Sequence, residues 1–401
     1  MATTGAMWTP TTEAELQRAL YEGLLREDHH TDYKAQLGVG EHGTKSLAID
    51  LASFAVDGGR ILIGVDEKAT PLLVPIDLKG QKERIDQVAH SSRIDPPLDV
   101  SVCEIPADGA PGRGYLVVII PPSPSAPHMV EHIYRGRADT TNISLSDGDV
   151  RRIRGERQKA ERDIADLVRA EVDRDPTNDL GSTQAHLFIV AQPVFGASEL
   201  LQEAVGTDWA GWMDHLIRSG MPQLHPQWSP DFGHLYRVEQ RANGPAATSF
   251  PGRQPGSPLQ EKDLLDVEVR EDGGIRLFAG RVSDSRNGTR FVIMPLVGGL
   301  LWRTLHMAKL IAEKTGYVGS WQIGVGMTSL KGTIVSTADP LYEPIRFSEN
   351  GYEAFGVVTF AQLEKGPDET VERLLGRFGR AMTGRLAKWP TEVGKSPAAK
   401  S

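Results

Sequence analysis

Three acidic side chains near the start of the chain are spaced for chemistry: Glu27, Asp32 and Asp66. Asp32 opens one extended stretch, and Asp66 closes another, the apolar Arg60-Ile61-Leu62-Ile63-Gly64-Val65. If these two stretches are neighbours, both carboxylates meet near Glu27. Clustered carboxylates repel one another unless a cation joins them. Mg²⁺ and Mn²⁺ favour oxygen ligands and keep positions for water and a phosphate oxygen. An ion held this way polarises phosphorus and activates water for phosphodiester cleavage. Lys34 alternates with Asp32 and shares its strand face. There it either holds a phosphate beside the metal or pairs with Asp32 or Glu27. Taken singly, the acids have a plainer reading, Asp66 as a strand cap and Glu27 as a helix end. His29 and His30 are near enough to join a metal, although adjacent histidines in a turn usually face solvent.

The elements that must position these residues are legible from periodicity. Thr12-Glu13-Ala14-Glu15 reads as a capping box, and Leu16, Leu20 and Leu24 recur at helical spacing. That helix is expected to end near Glu27, with a strand over Thr31 to Leu37. A glycine-rich loop, Gly38 to Gly43, precedes a second helix capped by Thr44. Asp57-Gly58-Gly59 is a turn into the buried strand that ends at Asp66. A third helix is expected from Lys79 to Ser92. Strands follow over Leu98 to Ile105, Gly114 to Ile120 and Glu131 to Arg137. Ser146 caps a short helix carrying the basic stretch Arg151-Arg152-Ile153-Arg154. Gly38 to Ser46 lies between a strand and a helix, as a P-loop would. That pattern needs Lys directly after its last Gly, and here Thr44 intervenes, so nucleotide binding by this loop is a minor alternative.

Composition sets outer limits. The chain has 401 residues, 39% of them hydrophobic, and a net charge of −9. That length suggests two domains. No apolar run approaches the roughly 18 to 20 residues of a membrane span. Met1 to Pro10 lacks the basic-then-apolar pattern of a secretory signal. A single cysteine, Cys103, excludes an intrachain disulfide and a cysteine-based zinc site. A cytoplasmic location is expected. The acidic balance argues against an extensive grip on nucleic-acid phosphates. The local basic stretches, Arg151 to Lys159 and Arg373 to Lys400, are of a kind that is more often a solvated helix face than a nucleic-acid contact.

The expected organisation is residues 1–155, a helical connector over 156–184, and a second α+β domain over 185–401 with a flexible loop near 243–258. In the second domain, Asp272-Gly273-Gly274 signals a hairpin between Leu265 to Arg270 and Ile275 to Val282. Helices are expected over Leu300 to Lys314 and Glu369 to Lys388. Trp209, Trp212, Trp228, Trp302 and Trp321 are spread over separate elements and read as core. No motif assigns this half a role.

Three stretches together resemble the Schlafen AlbA-type domain family. They are Glu27 with Asp32-Tyr33-Lys34, then Phe54 to Asp66, then His132-Ile133-Tyr134-Arg135-Gly136-Arg137-Ala138-Asp139-Thr140-Thr141. Val56 stands where the family commonly has Asn, and Asp32 where it commonly has Glu. The resemblance implies an α+β fold, a small mixed sheet with helices packed on it. It also implies binding of RNA or DNA, with pairing of two lobes into a homodimer. In relatives with nuclease activity the positions matching Glu27, Asp32 and Asp66 carry metal-dependent cleavage of structured RNA such as tRNA, with Mg²⁺ or Mn²⁺. Arg135 and Arg137 on one strand, with Arg151, Arg152 and Arg154, are the candidate contacts to a nucleic-acid backbone. The alternatives are a non-catalytic DNA-binding regulator and an ATP-binding protein of the same family.

Overall fold

The computed structural model describes residues 9–177, 183–194, 200–201, 208–218, 232, 235, 237–250, 261–335 and 345–383. The chain divides into two compact units, one built mainly from residues up to Ala160 and the other mainly from residues beyond it.

The first unit opens with α1 (Glu13–Tyr21), whose N-cap Thr12 accepts from the Glu15 amide. It ends at Tyr21 rather than near Glu27. The following strand, β1 (Thr31–Lys34), runs parallel to β2 (Gly59–Ile63), and α2 (Gly40–Phe54) is the crossover between them. Helix α2 begins at Gly40, four residues before the expected Thr44. Thr44 lies inside the first turns, and its hydroxyl donates to the Gly40 carbonyl at 2.9 Å. The close approach of Gly38 and Gly43 makes this start possible, since a Cβ on Gly43 would stand 2.1 Å from the Gly38 carbonyl.

Then come β3 (Ile76–Asp77), α3 (Gln81–Ala89), β4 (Ile94–Asp95), β5 (Ser101–Pro106) and β6 (Arg113–Ile120). β6 is antiparallel to both β2 and β5, and β3 pairs with its first residues. β1 therefore stands at one edge of a five-stranded sheet. Side chains alternate across a strand, so β6 feeds two cores. Leu116, Val118 and Ile120 pack with Leu47, Leu51 and Phe54 of α2 and with Ile85 of α3. Tyr115, Val117 and Ile119 pack with Leu16 and Ala19 of α1. Helices thus cover both faces, as the α+β expectation requires.

A second sheet, in the order β4, β7, β8, β9, contains β7 (Met129–Val130), β8 (Ile133–Ala138) and β9 (Thr141–Ser144). Ser146 then caps α4 (Asp147–Asp173), accepting from the Asp149 amide at 3.2 Å. This helix is not short: its 27 residues absorb both the basic stretch and most of the expected connector.

In the second unit a seven-stranded antiparallel sheet has the order β11, β12, β13, β14, β10, β17, β19. Its strands are β10 (His186–Pro193), β11 (Arg237–Arg241), β12 (Gly244–Thr248), β13 (Leu265–Val269), β14 (Ile275–Ala279), β17 (Trp321–Thr328) and β19 (Tyr352–Val358). β15 (Ser283–Arg286), β16 (Thr289–Val292) and β18 (Ile334–Val335) form a smaller sheet. The described helices are α5 (Trp209–Arg218), α6 (Met294–Thr315), α7 (Phe360–Lys365) and α8 (Asp368–Thr383). The Asp272-Gly273-Gly274 hairpin joins β13 to β14. Gly244–Thr248, expected in a flexible loop, is instead an interior strand, and residues 251–258 lie outside the described residues. Trp321 is core at 0% exposure, whereas Trp209 and Trp212 are half-exposed and Trp228 lies outside the described residues.

Candidate nucleic-acid interface

Asp32 and Lys34 do share a face of β1, and a third residue joins them. Lys34 Nζ lies 2.9 Å from Asp32 Oδ2 and 2.9 Å from Asp50 Oδ2. Asp50 sits on α2 and is 4% exposed. Its other oxygen accepts from Asn142 Nδ2 of β9 at 2.6 Å. From β8, Arg137 Nη2 comes within 3.5 Å of Asp32 Oδ1. It also donates to the Asp28 and Thr31 carbonyls at 3.3 and 3.4 Å, and its guanidinium lies 4.3 Å from the centre of the Phe54 ring. Two carboxylates and two cations balance in a group that ties β1, α2 and β8 together. Burial disfavours the charged Lys34, but Asp50 and Asp32 outweigh it and hold its ammonium above the usual lysine value. Burial pushes the Asp50 carboxyl up, against the pull of Lys34. Asp50 was signalled by its sequence, a lone charge inside the apolar run Leu47-Ala48-Ile49-Asp50-Leu51. Asn142 had no such signal.

The other acids go elsewhere. Glu27 Oε1 accepts from the Tyr33 amide at 2.9 Å. Asp66 Oδ1 accepts from the Lys68 amide at 3.0 Å, closing a local turn. The parallel register sets Asp32 level with Ile61 of β2. Asp66 lies five residues further on, past Gly64 with its φ of 94°. Among the described residues no three His, Cys, Asp or Glu side chains are grouped to hold a metal ion. As placed, Glu27, Asp32 and Asp66 do not fit a bridging divalent cation, and no hydrolytic step is derived through one. His29 pairs with Asp57 at 3.0 Å, and His30 Nδ1 is 2.8 Å from the Gly58 carbonyl.

The arginines divide. Arg137, expected beside Arg135 on a backbone-tracking face, is buried with its side chain 2% exposed. It serves the Asp32 group instead, and Arg135 is half-buried. Arg151 and Arg152 of α4 are exposed, at 79% and 60%, and pair with Asp147 and Glu156 one turn away. Arg154 donates to the Tyr134 hydroxyl at 2.6 Å and lies over its ring.

Sequence reasoning also missed a cleft of about 510 Å³ beside the β7–β8 turn. That turn is two residues, Glu131 and His132, at φ 53° and 63°. The left-handed pair matches the twist of the strands it joins. Lys45, Arg93 and His132 line the cleft. Lys45 Nζ is 2.6 Å from Glu131 Oε2, and Arg93 Nη1 is 2.7 Å from Glu41 Oε1. The hydrogen bond from Lys45 holds the Glu131 carboxyl below its usual range. Lys45, inside the first turns of α2, is thus paired with a carboxylate of the β7–β8 turn.

No curated protein matches the chain. Among solved structures it is similar to the DIP2311 protein from Corynebacterium diphtheriae, at 16% identity and a TM-score of 0.22. That likeness covers 34% of this chain and 27% of the other, about a quarter of its length. The profile of the family described as Schlafen, AlbA_2 matches residues 27–146. The match runs from Glu27 to Ser146, the cap of α4. It takes in the two sheets, the charged group on β1 and the cleft. Residues 27–146 are a Schlafen AlbA_2 domain.

Proposed function

We propose that the first unit binds the phosphate backbone of RNA or DNA at the cleft beside the β7–β8 turn. The observation that carries this reading is that its cations are held by exposed ion pairs, Lys45–Glu131 and Arg93–Glu41. Such pairs contribute about 0 to 1 kcal/mol, so a phosphate oxygen displaces either carboxylate at little cost. Arg151 and Arg152 add exposed cations to the same unit. Residues 1–160 carry 18 Lys and Arg against 23 Asp and Glu, which limits the grip to a few phosphates. Binding without cleavage is the reading the geometry favours, because the Asp32 carboxylate is engaged by Lys34 and Arg137.

The test is fluorescence anisotropy of a labelled DNA duplex and of a tRNA titrated with the full chain. Each neutralised phosphate contributes about −0.9 to the log–log salt slope on duplex DNA. Two or three phosphates give a slope of about −2 to −3, and affinity falls about 10- to 40-fold between roughly 50 and 200 mM salt. The double variant Lys45→Ala/Arg93→Ala should bind more weakly on every sequence, with the slope reduced by about 2. Salt-insensitive binding, or an unchanged slope in the variant, rules the cleft out. The tRNA arm is repeated with Mn²⁺. Fragments formed by the wild type but not by Asp32→Asn would replace the binding reading with the nuclease one.

A further inference from the structure

The second unit carries a cleft of about 270 Å³ where the end of α4 covers one face of the seven-stranded sheet. Strand alternation and register put Arg276 and Phe278 of β14 on that face, opposite Glu268 and Asp266 of β13. Phe188 of β10 is the partner of Phe278 on the other side. Below lies an aromatic floor, and above it a ring of charges.

The charges are not evenly matched. Arg241 is fully engaged, with two 2.8 Å bonds to the Asp266 carboxylate. Arg270 Nε donates to Glu268 at 3.2 Å. The remaining acid, Glu171 of α4, is shared by three guanidinium groups through one oxygen. Arg174 Nη1 is 3.4 Å from Glu171 Oε1, Arg270 Nη2 is 3.6 Å away, and Arg276 Nε is 3.6 Å away. All three are long for charge-assisted bonds, which close to about 2.7 to 2.9 Å. Arg276 is 5% exposed. Its Nη atoms donate to the Ile275 carbonyl at 3.0 Å and to Gln192 Oε1 at 2.9 Å, while its buried Nε has no hydrogen-bond partner. A buried donor left unmade is costly, and here it points at an over-shared carboxylate. On the floor, Phe278 packs against Phe188 at 5.3 Å between centroids, and the half-exposed Phe250 lies parallel to it at 6.4 Å.

We propose that this cleft binds a small anion joined to a planar ring, the class of nucleoside monophosphates and arene carboxylates. The anion takes the place of Glu171 among Arg174, Arg270 and Arg276, and the ring rests on Phe250 and Phe278. This proposal is independent of nucleic-acid binding by the first unit.

Isothermal titration of the full chain with adenosine 5′-monophosphate and with benzoate tests it, with adenosine and inorganic phosphate as the separated halves. One saturable site is expected for at least one of the two probes. For adenosine 5′-monophosphate, binding should be at least about tenfold tighter than for either half. Glu171→Gln should tighten binding several-fold, because it removes the competing carboxylate while keeping the shape. Arg174→Ala, at an exposed position, should weaken it, and Arg276→Met should abolish it. If Arg276→Met does not fold, the Glu171 and Arg174 variants carry the test. Lys45→Ala/Arg93→Ala should bind both probes as the wild type does. The proposal is overturned if neither probe saturates into the millimolar range, or if adenosine or phosphate alone binds as tightly as the nucleotide. It is also overturned if Glu171→Gln leaves affinity unchanged, as a purely structural ion network would, or if Lys45→Ala/Arg93→Ala loses the site.

Discussion

Replacing Lys34 by methionine removes the cation between Asp32 and Asp50 while keeping most of its volume. Asp32 retains Arg137, but Asp50, with its side chain 6% exposed, keeps only the Asn142 amide. Stripping one partner from a buried pair costs about 3 to 5 kcal/mol. Lys34 is itself 25% exposed, so the low end, about 3 kcal/mol, is expected. That is roughly a 150-fold larger opening constant at neutral pH. The Asp50 carboxyl already titrates above its ordinary value because it is buried, and without Lys34 it rises further. A group raised in the folded state adds stability below its unfolded pKa, near 3.9, and loses it as pH climbs through the folded one. The deficit of Lys34→Met should therefore be full at pH 7 and shrink on acidification towards pH 4. The raised Lys34 acts at the other end. The wild type should lose its advantage as pH rises from about 10.4 through the folded lysine value. Native-state hydrogen exchange of the α2 amides is the fitting assay, because it reads the opening of this unit rather than of the whole two-unit chain. Lys34→Met/Asp50→Leu should recover most of the loss, since removing both partners leaves no stranded charge. A loss under about 1 kcal/mol, a deficit independent of pH, or no recovery in the double variant would refute the reasoning.

Other expected outcomes are simpler to read. Burial drives His128 down to about 4; its Nδ1 lies 2.6 Å from the Pro96 carbonyl and its Nε2 is unpartnered. Protons therefore favour the unfolded state as pH falls from about 6.5 to 4, a loss on the order of 2 to 3 kcal/mol that His128→Gln should abolish in acid unfolding curves. Gly43→Ala should destabilise the start of α2 by more than 1 kcal/mol on the scale of overpacked sites, seen as faster amide exchange over Gly40 to Ser46. Asp66→Ala should change stability by about 0.5 kcal/mol or less and leave nucleic-acid affinity as it was. Loss of a Mn²⁺-dependent cleavage in that variant would restore Asp66 to the centre of the site.

Much of the first unit was legible because each element announced itself locally. Thr12 with Glu15 marked a helix start, Asp57-Gly58-Gly59 a turn, and the run from Tyr115 to Ile120 a strand buried on both faces. That Asp32 and Lys34 share a face followed from strand alternation, while the choice between a phosphate contact and an ion pair for Lys34 needed Asp50 beside it. What stayed hidden depended on how elements meet. Period and propensity do not say whether β1 and β2 run parallel, and that orientation decides whether Asp66 reaches Asp32. Asn142 gains its role only when β9 comes beside α2. In the second unit, Gly244 and Pro245 look like loop residues. Yet Pro245 pairs only with β11, and β13 joins from Ala246 onward, so the missing N–H falls outside the inner ladder.

β1 is an edge strand, and an exposed edge invites another chain to add itself. Its outward backbone groups include the Tyr33 amide and the Thr31 carbonyl, and side chains occupy both. Glu27 takes the Tyr33 amide, while Arg137 and the Asp28 amide take the Thr31 carbonyl. Glu27 and Arg137 thus seal the sheet against intermolecular strand addition. Loss of either should appear first as aggregation on storage or heating, before any change in the folded monomer's spectrum.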